Sequence, residues 1–109
     1  MIVIHSQEEW NHIVNIHPKI VIDCYTEWCG PCKKIANVFE TLSEEFKEIH
    51  FIKVDVDKFQ SDIENLFTSI QSVPTFLFVF NGKLQSELTV VGANIETLTK
   101  TIQMFNLCE

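Results

Sequence analysis

The sequence predicts an α/β fold, a mixed five-stranded sheet in the element order βαβαβαββα with helices on both faces. Three observations lead there. Apolar runs at residues 20–25, 51–56 and 76–80 have the length of buried strands, and helix-periodic segments separate them. Asn81-Gly82 is a hairpin signal, so the strand after it, residues 84–91, returns antiparallel to its predecessor. Strands joined through helices are covered on both faces by those helices, which accounts for runs that are apolar almost throughout.

Each element has its own local signature. Residues 2–4 are a short strand candidate. Ser6 and Glu9 make an S-x-x-E capping box, and Trp10, Ile13 and Val14 give the following helix one apolar face, with Trp10 read as core. Pro18 ends that helix and leads into the strand at 20–25, whose single carboxylate is Asp23. From Cys32 onward Ile35, Val38, Phe39, Leu42 and Phe46 recur at helical spacing. In the strand at 51–56, alternation sets Ile52, Val54 and Val56 on one face and Phe51, Lys53 and Asp55 on the other. Ser61 and Glu64 repeat the capping pattern ahead of a short helix containing Ile63, Leu66 and Phe67. Gly92 ends the last strand, and Ile95, Leu98, Ile102 and Phe105 form the stripe of a final helix capped near Asn94.

Composition narrows the classes of function. The 109 residues make one domain, 1–109, with room for a modest core, and a hydrophobic content of 46% excludes a disordered chain. The apolar runs are far too short to span a bilayer. A net charge of −7 argues against nucleic acid and anionic membrane as partners. Met1 is followed at once by Ile-Val-Ile and a polar helix start, so no secretory signal is visible and a reducing, cytoplasmic setting is expected.

The chemistry gathers at Cys29-Gly30-Pro31-Cys32, between the strand at 20–25 and the helix after it. Pro31 suits a first helical turn, where its missing N–H costs nothing. Cys29 then sits at the helix N-terminus, where unpaired backbone N–H groups and the helix dipole favour an anion. A thiol there loses its proton more readily, and the thiolate is the nucleophile of disulfide exchange. The pair reads as a redox pair. Structural zinc needs four ligands, and Cys24, Cys108 and the scattered His5, His12, His17 and His50 supply no second pair, so no metal site is expected. Lys53 inside a strand has two readings: a partner for Asp23 on a neighbouring strand, or a side chain reaching past the strand end to water.

A bare Cys-x-x-Cys is a weak signal. Trp28-Cys29-Gly30-Pro31-Cys32, with Asp23 on the strand before it, is a strong one, and over essentially the whole chain it resembles the thioredoxin family. The resemblance implies the thioredoxin fold and a protein-disulfide reductase working by thiol–disulfide exchange, with Cys29 attacking and Cys32 resolving. Asp23 matches a buried carboxylate that passes a proton to or from Cys32, and Lys53 the lysine beside it. Trp28, Gly30 and Pro31 are implied to form part of the contact surface for substrate. Val73-Pro74-Thr75 matches a loop whose cis proline faces the cysteines and whose backbone holds an extended substrate. Gly92 matches a glycine beside the same groove, although a plain strand-ending turn explains it as well. The implied partners are a thioredoxin reductase and disulfide-containing client proteins, with no bound cofactor, no nucleic acid and no membrane, the chain acting as a monomer. Gly-Pro between the cysteines, rather than a histidine, favours a reductant over an oxidant.

Three departures from the family pattern stand out. Asn37 occupies the place of a helix-kinking proline, so a straighter helix is expected. Cys24 replaces a large aromatic and is expected to be buried and inert, and Cys108 is expected to be exposed. Two other classes remain: a non-catalytic binding module, which would lack catalytic residues, and a metal or iron–sulfur carrier using the pair across a dimer. A colourless, metal-free protein that reduces insulin disulfides is neither.

Overall fold

In chain order β1 (Ile2–Val3), α1 (Gln7–Ile16), β2 (Lys19–Tyr25), α2 (Gly30–Glu45) and β3 (His50–Asp55) precede the hairpin half of the chain. That half contains β4 (Thr75–Phe80), β5 (Lys83–Leu84), a 3₁₀ turn (Ser86–Leu88), β6 (Val90–Val91) and α3 (Ile95–Asn106). The structure, a computed structural model, describes residues 2–59 and 70–109. The helix expected from Ser61 and Glu64 with Ile63, Leu66 and Phe67 lies outside the described residues.

β2 is the middle of the sheet. β3 pairs with it in parallel, Asp23 opposite Lys53, and β4 pairs on its other side antiparallel, Asp23 opposite Phe76. β1 extends the sheet beyond β3 in parallel. The strand expected over residues 84–91 is instead two short strands on the outer edge of β4, which makes six among the described residues. Asn81 and Gly82 turn the hairpin with φ of 50° and 81°, as a two-residue loop between right-twisted strands requires. After Leu84 the chain leaves the ladder because Gln85, Ser86 and Glu87 offer no alternating apolar face. Leu88 folds inward onto the core instead, and pairing resumes at Val90.

The sheet separates two apolar layers. Ile20, Ile22, Cys24, Ile52, Val54, Leu77 and Val79 pack with Trp10 and Ile13 of α1 and with Ile4. On the opposite face Val21, Phe51, Phe76 and Phe78 meet Ile35, Phe39 and Leu42 of α2 and Leu98, Ile102 and Phe105 of α3. Edge-to-face ring pairs, Phe39 with Phe51 and Phe78 with Phe105, fill this second layer at centroid separations of 5.1 and 5.2 Å. Helix ends are closed by side chains: Ser6 accepts the Glu9 amide and Asn94 accepts the Thr97 amide. Glu9 reaches back to the His5 amide, one residue earlier than an ideal capping box. Lys19 donates to the Asn106 carbonyl at 2.8 Å and so satisfies the C-terminal end of α3.

Two of the scattered histidines meet. His17, which ends α1, stacks on His50 at the start of β3, with ring centroids 3.8 Å apart and planes within 4° of parallel. Burial, and then the neighbouring His17, push the His50 imidazole below its usual value. A histidine with a depressed folded value contributes stability that is complete above the ordinary imidazole range and is lost as pH falls through it. Between about pH 7 and about pH 5 the parent should therefore lose more stability than a His50→Gln variant, measured by urea melts. Equal losses would mean that another group titrates.

Candidate functional site

The C-terminal end of β2 and the N-terminal end of α2 meet in a tight connection, residues 26–29. The Cys29 amide donates to the Thr26 carbonyl at 3.3 Å, which folds the connection back onto the strand. Cys29 is the N-cap of α2, with extended φ and ψ of −85° and 108°, and Pro31 lies in the first turn where its ring is tolerated. Cys29 and Cys32 are joined by a disulfide across a Cα separation of 5.3 Å. The Cys32 amide donates to Cys29 Sγ at 3.1 Å. In the reduced protein that N–H, with the helix dipole, stabilises a thiolate on Cys29. Cys32, one turn inside the helix, has no such donor aimed at it among the described residues.

The two cysteines are equally covered, each about 5% exposed in the disulfide. Cys29 therefore does not stand out from the surface, as its position at a helix end alone would place it. The cover comes from the loop before β4. The Val73 carbonyl oxygen lies 3.6 Å from Cys29 Sγ. The disulfide sulfur has no proton to donate, so this is a contact, and the reduced thiol can turn it into a hydrogen bond.

Val73-Pro74 is a cis peptide, and Pro74 is buried. Thr75 donates its hydroxyl to the Ser72 carbonyl at 2.7 Å and begins β4 opposite Cys24 of β2 and Val91 of β6. Gly92 donates its amide to the Pro74 carbonyl at 2.9 Å and has a φ of 94°, so the strand-ending turn itself asks for glycine. A Cβ at Gly92 would meet no atom within 4 Å, which leaves the space beside this turn open. Two shallow grooves flank the loop: one of about 200 Å³ with Trp28 and Asp57 in its wall, and one of about 150 Å³ reaching Val91. Gly30 and Pro31, between the two cysteines, are exposed.

Trp28 is 73% exposed, yet it is fixed: its indole Nε1 donates to Asp57 Oδ2 at 2.8 Å. Asp57 is held in turn by its amide, which donates to Asp55 Oδ1 at 3.0 Å. The sequence reading missed Asp57. The signal was available, because β2 and β3 run parallel and the residues just past their C-terminal ends share one rim of the sheet.

Asp23 lies on the α2 side of β2, two residues from Val21 in the layer that receives Ile35. It is 1% exposed, and neither carboxylate oxygen has a hydrogen-bond partner among the described residues. Burial pushes its carboxyl up to about 6, against the opposing pull of Lys53. Lys53 is its register neighbour, but no ion pair joins them. The Lys53 ammonium sits over the Tyr25 ring, 4.6 Å from the centroid. Neither reading of Lys53 from the sequence anticipated a ring as its seat.

Of the family departures, Cys24 is fully buried, and burial and then the Asp23 charge hold its thiol well above the usual range. It is inert. α2 continues through Asn37 to Glu45 without interruption, and the Asn37 carbonyl accepts the Thr41 hydroxyl at 2.9 Å. Cys108 departs from expectation. It is half-buried and packs against the α2–α3 core layer, because the turn after α3 folds back with the Cys108 amide on the Phe105 carbonyl.

The chain is similar to known proteins along nearly its whole length. Residues 1–104 match the family model described as Thioredoxin. The chain is 44% identical over 103 residues to Thioredoxin-3 of Dictyostelium discoideum, covering 93% of this chain and 94% of that protein. A solved thioredoxin of Plasmodium falciparum superposes with a TM-score of 0.83 at 34% identity, covering 95% of this chain and 98% of that one. A thioredoxin of Fasciola hepatica gives a TM-score of 0.83 at 34% identity, with 96% and 99% covered. With a redox-active cysteine pair at the head of α2 and agreement along nearly its full length, the chain belongs to the thioredoxin family and is a disulfide oxidoreductase.

Proposed function

We propose that this chain, a single thioredoxin domain over residues 1–109, is a cytoplasmic protein-disulfide reductase that a thioredoxin reductase recharges. The observation that carries the reading is the Cys29–Cys32 disulfide at the N-terminus of α2, the oxidised product of the reaction. In the reduced form the Cys29 thiolate attacks one sulfur of a client disulfide and expels the other as a thiolate, leaving a mixed disulfide. Cys32 loses its proton and attacks Cys29 Sγ, which breaks the mixed disulfide and re-forms the internal one. Two electrons pass to the client, which leaves with two thiols. Asp23 takes the Cys32 proton, since a buried carboxyl near 6 exchanges protons close to neutrality, and Lys53 tunes that value through its charge.

Clients dock in an extended conformation along the Val73-Pro74-Thr75 loop, where main-chain contacts give affinity with little side-chain selection. Trp28, Gly30 and Pro31 make the exposed rim of this surface, and the open space at Gly92 admits the client backbone. The chain works as a monomer, without nucleic acid or membrane. No helix among the described residues is long and apolar enough to cross a membrane. The decisive assay supplies NADPH, a thioredoxin reductase and insulin. Turnover that depends on all three together with this chain supports the reading. Insulin reduction by a chemical dithiol but never by the reductase would reject that electron donor.

A further inference from the structure

Asp23 and Lys53 face each other directly across β2 and β3, and on one face of a parallel pair such neighbours are within reach of an ion pair. They do not form one. Both Asp23 oxygens are without a partner among the described residues, while the Lys53 ammonium rests 4.6 Å from the centroid of the Tyr25 ring. Tyr25 is two residues beyond Asp23 on the same face of β2, opposite Asp55 and diagonal to Lys53. Its ring is therefore the competing seat for the ammonium, and attraction to a ring face is strong enough to hold a partly desolvated lysine. We propose that Tyr25 is a positioning residue that draws the Lys53 ammonium off the Asp23 carboxyl, so that this carboxyl stays free to exchange a proton during the cysteine chemistry. This rests on the reading of Asp23 as the group that takes the Cys32 proton.

The surrounding charges fit this role. Asp23, Glu27, Asp55 and Lys58 all act on Tyr25, and burial followed by the three carboxylates raises its phenol, so the ring stays neutral wherever the enzyme works. Glu27 is engaged by Lys58, with Lys33 of α2 adding a weaker pull. Lys53 is the only cation whose charge acts on Asp23 among the described residues. Where that ammonium sits then sets how readily the carboxyl keeps its proton.

The test reads Asp23 directly, by carboxyl carbon NMR across pH. In Tyr25→Leu the ring is gone, the ammonium falls onto the carboxylate, and the Asp23 midpoint drops by about one unit or more, a tenfold lower protonated fraction near neutrality. Tyr25→Phe keeps the ring and should match the parent. In a Lys53→Gln background Tyr25→Leu should leave the midpoint where it is, because the coupling runs through the lysine. An unmoved midpoint in folded Tyr25→Leu, or an equal drop with Lys53 replaced, overturns the proposal. The parent alone supplies a further check: the Lys53 ε-methylene protons should be shifted upfield by the Tyr25 ring, and ordinary shifts reject the placement. None of these readouts needs turnover. If Asp23 is not the proton acceptor in the reaction, the midpoints still move while the pH–rate profile does not.

Discussion

Cys29→Ser should abolish disulfide reduction, a loss of at least a thousandfold against the background of free thiol chemistry, while Cys32→Ser should still attack and then stall. The asymmetry follows from the helix end. Cys29 Sγ, at the N-cap, receives the Cys32 amide at 3.1 Å and the positive end of α2, whereas Cys32, at the third helical position, has no such amide donor among the described residues. A serine at 29 leaves no sulfur to open the client disulfide. A serine at 32 leaves the first step intact and removes only the group that resolves it, so client and enzyme remain joined. Mass spectrometry of Cys32→Ser with a disulfide peptide should find that adduct on Cys29, and insulin turnover should be absent in both variants. Alkylation of the reduced parent should reach Cys29 before Cys32; the reverse order would exchange their roles.

Asp23→Asn should stabilise the protein at alkaline pH and slow it. A carboxyl raised from 3.8 to about 6 on folding keeps its proton in the folded state over a range where the unfolded chain has lost it. The favourable neutral form is fully present below the lower value and is lost as pH rises through the upper one. Above about 6 the native state carries a buried charge whose cost, from a shift of about two units, is on the order of 3 kcal/mol. The asparagine variant, neutral throughout, should recover most of that at about pH 8 and little at about pH 4, as urea melts would measure. Its turnover should fall on the proposed mechanism, in which Asp23 accepts the Cys32 proton. A variant no more stable than the parent at alkaline pH would make Asp23 an ordinary satisfied carboxylate. His50 acts with the opposite sign in part of the same range, so the comparison is between variant and parent at each pH, not along either curve alone.

Much of this was legible in the residues. Runs such as Ile20 to Ile22 and Phe76 to Val79 are apolar on both sides because helices cover both faces, and Asn81-Gly82 set the hairpin. The redox pair was legible because Pro31 and the helical stripe after it placed Cys29 at a helix end. The parts that stayed hidden are those decided by contacts between distant segments. The cover over Cys29 comes from Val73, and the seat of Lys53 is a choice between two neighbours on one face that spacing alone leaves equal. His17 and His50 looked scattered, and only the parallel start of β3 beside the end of α1 brings them together. Cys108 was read from its place near the terminus, whereas the turn after α3 tucks it against Phe105 and its neighbours. The split of the outer strand was hidden because Gln85, Ser86 and Glu87 break the apolar alternation and Leu88 packs partly buried against the core.

That split also bears on what the edge of the sheet offers to another copy. A long flat outer strand offers a template on which another copy can add, and sheets that survive at high concentration keep such borders short or irregular. Here one border of the sheet is Ile2–Val3 and the other is Lys83–Leu84 and Val90–Val91, separated by the detour through Ser86–Leu88. Among the described residues each of these outer strands is two residues long, and Lys83 adds a charge at one of them. On the proposed reading, in which extended clients dock at the Val73 loop, short outer strands leave the described perimeter of the sheet a poor template for strand-by-strand growth.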